Sequence, residues 1–179
     1  MAEFLWIFWS FSFLGWVLER LFAAVTRSPR RRRRCLLLLP LCPVYGLGMA
    51  AVLALPPSLR SGWPLYLWGG LTATSVEYIY HWWGETFLGV SFWDYTGVFG
   101  NFRGRVCLPF SLAWGLLLFP AVYLVTPPVV VLADRVPIGV TWWLLLAFTA
   151  DAVCSLRFLA VTHDLEALRA VIWPVSADR

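Results

Sequence analysis

The chain has 179 residues, of which 60% are hydrophobic and 13% are charged, and it contains 12 tryptophans. A soluble domain of this length cannot bury so much apolar surface in one core, so the composition excludes a soluble globular protein and predicts an integral membrane protein. The net charge of +4 is carried by arginine and lies mainly in one run between two apolar stretches. This placement favours contact with anionic lipid head groups, and we expect no nucleic-acid partner.

Five stretches are long and apolar enough to cross the bilayer as helices, each of which needs about 20 residues. They are residues 4–25, 35–55, 63–83, 107–132 and 137–158. The fourth contains Pro120 and the pair Pro127 and Pro128, which predict a kink and irregular helix towards its far end. The sequence therefore predicts an all-α fold, with one polytopic transmembrane domain of about five helices. A structured loop at 84–106 and a tail at 159–179 complete it.

The arginines predict how these spans are oriented in the cell membrane. The connections after the first and third spans are rich in arginine, as is the C-terminal tail, whereas the second and fourth connections hold only Arg60 and Arg135. Because cytoplasmic loops carry the excess of positive charge, we expect the N-terminus outside the cell. The loop 84–106 and the C-terminus are then cytoplasmic.

Three carboxylates, Glu19, Glu77 and Asp151, lie inside predicted spans, each six or seven residues from the predicted inner end. At 1.5 Å of rise per residue they share a depth of roughly 10 Å. A charge at the bilayer centre costs roughly 2.5–3.5 kcal/mol on insertion scales, so all three are expected to face the bundle interior as candidate binding residues. Two have structural alternatives. Glu19 can pair with Arg20 or with the arginine loop after the first span, and Asp151 can pair with Arg157 or make a polar contact between helices.

Three further residues are candidates because of their surroundings. Tyr45 lies among the prolines and glycines of the second span, and such broken helices expose backbone groups to ligands, although a packing kink explains the pattern equally well. Arg105 precedes the fourth span and can offer countercharge to the buried acids, or act as an ordinary cytoplasmic arginine. Asp94 stands in an aromatic stretch of the loop, where it can cap a turn.

Several catalytic signatures do not occur in the sequence. It contains no G-x-x-x-x-G-K-[ST] phosphate loop, no H-E-x-x-H, no G-x-S-x-G and no His/Cys metal cluster. The four cysteines form no C-x-x-C pair. We therefore expect no cofactor and no bound metal, and an enzyme is the less favoured class.

Several separated motifs carry a resemblance to a known family. They are residues 13–19 (FLGWVLE), 41–48 (LCPVYGLG), Glu77, 93–95 (WDY), Asn101, 104–108 (GRVCL) and 111–115 (SLAWG). In this order they resemble the bacterial ABC-transporter permease family, type IV or CmpB-like, which is distantly similar to the vertebrate transmembrane protein 229 group. The resemblance covers residues 4–125, implies transport without naming a substrate, and adds Asn101 to the candidate site. Residues 36–39 replace the family's glycine-aromatic-glycine stretch, which predicts a regular helix there.

The leading hypothesis is a transport or permease subunit. Glu19 and Glu77 would form a cation or proton site facing the cytoplasm, and the loop 84–106 would gate it or dock a partner. Five spans are few for a complete transporter. We therefore expect a homo-oligomer or an assembly with other subunits, including a separate ATPase.

Two alternatives stay open. A small membrane enzyme acting on a lipid-linked substrate would use Glu77 or Asp94 as general base and Arg105 to hold a phosphate or carboxylate. It would show a cavity that opens sideways and is lined by an acid and Arg105. A non-catalytic scaffold would show Glu77 paired with a donor and no cavity beside it.

Overall fold

The computed structural model describes residues 1–26 and 35–170. It is mostly helical, which confirms the predicted fold class. The helices are α1 (Ala2–Thr26), α2 (Pro43–Leu53), α3 (62–88), α4 (Leu108–Arg135), α5 (Ile138–Thr162) and α6 (Leu165–Ala170), with a 3-10 turn at Pro57–Leu59. Between α3 and α4, the strands β1 (Asn101–Phe102) and β2 (Val106–Cys107) pair antiparallel.

Three helices are long and apolar enough to cross a membrane: Ala2–Val25, Leu108–Arg135 and Ile138–Thr162. They coincide with the first, fourth and fifth predicted spans. The third predicted span lies within α3, which is built from Gly62–Pro64, Leu65–Gly69, Gly70–Trp83 and Gly84–Leu88. Two of these segments, Leu65–Gly69 and Gly84–Leu88, have π-helical geometry.

The prolines of α4 are accommodated by a π turn. The helix runs as Leu108–Pro120, then the π turn Ala121–Val125, then Thr126–Arg135 with Pro127 and Pro128 in its first turn. Proline lacks a backbone N–H, and the first turn of a helix is where that group has no intrahelical partner. The predicted irregularity is therefore a single π turn, after which regular helix continues to Arg135.

The second predicted span, 35–55, is only partly helical. Its helix begins at Pro43, and Cys42 before it has extended backbone. Residues 35–42 form no helix, so the expectation of a regular helix at 36–39 is wrong. Proline disfavours helical geometry in the residue before it, and Pro40 and Pro43 impose this twice within the segment.

The buried residues form two clusters. One contains Leu36 and Leu37, the loop residues Phe92 and Trp93, and Leu168 of α6. The other joins α1, α2, α3 and α4 away from that loop. Residues 35–42, the loop and α6 therefore lie at the same end of the bundle, as alternating spans require. Which side of the membrane this end faces stays a prediction.

Candidate functional site

The carboxylate of Glu77 lies in the interior of the bundle, with the residue 1% exposed. Its Oε1 accepts a hydrogen bond from the Tyr95 hydroxyl at 3.2 Å, and its Oε2 accepts one from Trp114 Nε1 at 2.8 Å. The loop thus holds one oxygen and α4 holds the other. Hydrogen bonds to a charged acceptor are roughly twice as strong as neutral ones, so this pair fixes the carboxylate in place.

Glu19, on α1, accepts a hydrogen bond from the hydroxyl of Tyr45 on α2. The Tyr45 ring lies so close to α1 that a Cβ at Gly15 would overlap it. The same ring meets Trp114 edge-on, with the ring centroids 5.1 Å apart. Glu19, Tyr45, Trp114 and Glu77 therefore form one continuous series of contacts across four helices.

Two cavities flank this series. The first has a volume of about 260 Å³, is walled by α1, α2, α3 and α4, and is bordered by Glu77, Tyr45 and Trp114 among apolar side chains. The second, of about 240 Å³, is bordered by Glu19 and by the same Tyr45 and Trp114. Tyr45 and Trp114 border both cavities, as do Leu18 and Leu117, and each carboxylate borders one of the two.

Residues 6–156 match the family model described as "Putative ABC-transporter type IV" (ABC_trans_CmpB). The chain belongs to this family. No curated protein and no solved structure matches it. The resemblance read from the motifs is confirmed for the family itself, and the more distant likeness to the transmembrane protein 229 group stays a prediction. The family match begins in α1 and ends in α5, so it includes every residue of both cavities.

Two of the motif residues of this ABC-transporter family build the loop. The Asp94 carboxylate is exposed and accepts a hydrogen bond from the Thr96 amide at 2.8 Å. Asn101 accepts from the Gly104 amide at 3.3 Å and donates to the Val98 carbonyl at 3.0 Å. Asp94 thus caps a turn, which was one of its two sequence interpretations, and neither residue borders the two cavities.

Arg105 has a carboxylate partner that the sequence reasoning missed. Its Nε donates to Glu85 Oε2 at 2.7 Å, and its Nη1 donates to the Tyr78 hydroxyl at 2.8 Å. Desolvation works against its charge, but these hydrogen bonds raise the pKa of Arg105 above its usual value. Glu85 Oε1 also lies 3.0 Å from Nε2 of His81, one helical turn earlier. His81 and Glu85 are four residues apart, which places them on the same face of a helix, and this spacing could have predicted that they pair.

Asp151 binds backbone amides. Its Oδ1 accepts from the Leu38 amide at 3.1 Å and from the Ser155 hydroxyl at 2.9 Å, and its Oδ2 accepts from the Leu39 amide at 2.8 Å. Asp151 therefore fastens the non-helical segment 35–42 to α5. It borders neither of the two cavities, whereas Glu77 borders the first and Glu19 the second.

Trp114 and Tyr95 were not predicted as site residues, although both stand in the family motifs 111–115 and 93–95. Each donates to Glu77, and the motifs were therefore the signal that could have found them. Arg105 does not border either of these two cavities, and Glu77 has hydrogen-bond donors while it also borders a cavity. The enzyme and scaffold alternatives stay predictions.

Proposed function

We propose that the chain is the membrane-embedded subunit of a transporter and that Glu77 and Glu19 form its cation or proton site near the cytoplasmic side. The observation that carries the proposal is a buried carboxylate, Glu77, beside a cavity of about 260 Å³ between helices. An acid inside a membrane domain is costly and commonly marks an ion or substrate pathway. Membership of an ABC-transporter family supports the same class of function.

The side chains shared by the two cavities suggest how passage is controlled. Glu77 borders one cavity and Glu19 the other, and Tyr45 and Trp114 border both. We therefore expect movement between the two carboxylates to involve these two side chains. The loop acts on the same point, because Tyr95 donates to Glu77. A displacement of the loop would alter the hydrogen bonding of Glu77 directly.

A separate ATPase is the partner that this proposal requires for energy, since the sequence contains no phosphate-binding loop of its own. The loop exposes Phe99 and Phe102 at the end of the bundle predicted to be cytoplasmic, and it offers these rings as a docking surface. Purification of the tagged chain from its native membrane should recover a protein with a G-x-x-x-x-G-K-[ST] sequence. Replacing both rings with serine should then reduce its recovery.

Proton flux through vesicles tests the role of Glu77. The purified protein is reconstituted with pyranine inside, and a potassium gradient with valinomycin imposes the membrane potential. We expect faster internal pH change than in empty vesicles, with the increase lost in Glu77→Gln and retained in Glu3→Gln, which alters an exposed acid on α1. Equal flux through Glu77→Gln and wild type would contradict the proposal.

The scaffold alternative is separated by a second readout from the same variants. If Glu77 serves only to pair helices, Glu77→Gln should lower the thermal unfolding temperature in detergent, while wild-type vesicles show no flux above empty ones. A transport site gives wild-type flux that depends on the carboxylate. The hydrogen bonds from Tyr95 and Trp114 are common to both readings, so stability alone does not decide between them.

A further inference from the structure

The cavity beside Glu77 opens through the side of the bundle. Its rim includes Leu14 and Leu18 of α1 and Leu117 of α4, which are 41%, 39% and 43% exposed. These residues lie in helices that are long and apolar enough to cross a membrane, and they stand well away from the helix ends. In a bilayer the opening therefore faces acyl chains, and a molecule dissolved in the membrane can reach the cavity without passing through water.

The wall of the cavity combines one carboxylate with three aromatic rings. Glu77 contributes the carboxylate, and Phe11, Tyr45 and Trp114 contribute the rings. Apolar side chains such as Met49 and Val125 form much of the remainder. Rings attract cations through their negative faces, and the attraction is stronger where water is excluded. An apolar wall with this one charge favours a ligand whose body is apolar and which carries one positive charge.

We propose that this cavity binds a small organic monocation, an amine or quaternary ammonium with an apolar body, which enters from the bilayer. At about 30 Å³ for each group the size of a water molecule, a volume of 260 Å³ holds roughly nine non-hydrogen atoms. The inference names the ligand class of the Glu77 cavity. Binding of this ligand does not depend on the proposed transport function, but its movement across the membrane does.

Gly48 provides a way to fill the cavity. It borders the cavity, and a Cβ added there would meet no atom within 4 Å. Gly48→Leu therefore places a branched side chain into the space the ligand needs. The matched control is Gly139→Leu, because an added Cβ at Gly139, an exposed position on α5, also meets no atom within 4 Å.

Binding to the purified protein in detergent is measured by titration calorimetry with two ligands of similar shape, phenyltrimethylammonium and the neutral 2-phenyl-2-propanol. We expect saturable binding of the cation at least tenfold tighter than that of the alcohol. Glu77→Gln should weaken cation binding at least tenfold and make the two ligands similar, whereas Glu3→Gln should not. Gly48→Leu should abolish binding of both ligands, and Gly139→Leu should bind both as the wild type does.

The proposal is overturned if the wild type shows no saturable cation binding, if the alcohol binds as tightly, or if Glu77→Gln or a folded Gly48→Leu binds like the wild type. If Gly48→Leu does not fold, Leu14→Trp at the exposed rim replaces it with the same expectation. Binding without proton flux would remove proton transport through Glu77 and leave this inference intact. Flux without cation binding would do the reverse.

Discussion

Replacing Asp151 with alanine tests how the non-helical segment 35–42 is held. The change removes the acceptor for the amides of Leu38 and Leu39, at 3.1 Å and 2.8 Å, and for the Ser155 hydroxyl. A hydrogen bond to a charged group contributes about 1.5–3 kcal/mol. Asp151 is half-buried, so we take the lower end for each backbone bond, which gives about 3 kcal/mol for the two. This corresponds to about a 100-fold increase in local opening.

Hydrogen–deuterium exchange of peptides covering residues 35–42 measures this opening. We expect exchange about 100-fold faster in Asp151→Ala, and an intermediate effect in Asp151→Asn, which keeps one carbonyl acceptor. Asp134→Ala is the control, because Asp134 is an exposed acid on α4. If Asp151→Ala exchanges like the control, burial of Leu36 and Leu37 alone holds the segment, and the assignment of Asp151 as its anchor is wrong.

Two further predictions concern α3 and the loop. Gly84→Ala places a Cβ that overlaps the ring of the fully buried Phe92, so we expect it to lower the free energy of unfolding by about 1–3 kcal/mol. Gly139→Ala is the control, because a Cβ there meets no atom within 4 Å. Equal thermal unfolding midpoints for the two variants would contradict this packing. Hydrogen bonds from the Thr96 side chain and amide lower the pKa of Asp94 below 3.8. The Asp94 carboxylate should therefore stabilise the turn fully above pH 3.8, and this contribution should be lost as the pH falls through the lowered pKa. The NMR resonance of the Thr96 amide measures this, and a shift of that resonance near neutral pH would contradict the prediction.

The helices were largely predictable because hydrophobic runs are a local property of the chain. Residues 4–25, 107–132 and 137–158 fold as the long helices α1, α4 and α5, and the prolines of the second of these stretches alter α4 only at its π turn. Residues 36–39 carry the same apolar signal but form no helix. Their amides are bound by Asp151, which lies 113 positions away in the sequence, and no local pattern contains that contact.

The candidate site was predictable in part. The sequence placed Glu77 inside the bundle because of its cost in lipid, and the structure buries it. It did not predict that Trp114 and Tyr95 are the donors, because both are apolar enough to read as ordinary core residues. Arg105 had two interpretations, as countercharge to the buried acids or as an ordinary cytoplasmic arginine, and in the structure it pairs with Glu85. Several carboxylates lie near the predicted depth of Arg105, and no local feature of the sequence shows which of them pairs with it.

The sequence by itself determined the membrane class, the approximate helices and the family, since composition, apolar run length and short motifs are all readable along the chain. Only the tertiary structure decided that Glu77 and Glu19 border cavities while Asp151 binds backbone amides. In the sequence the three acids are alike, because each is a carboxylate six or seven residues from the predicted inner end of a predicted span. Their surroundings differ because burial and hydrogen bonding depend on which distant segments the fold brings against each of them.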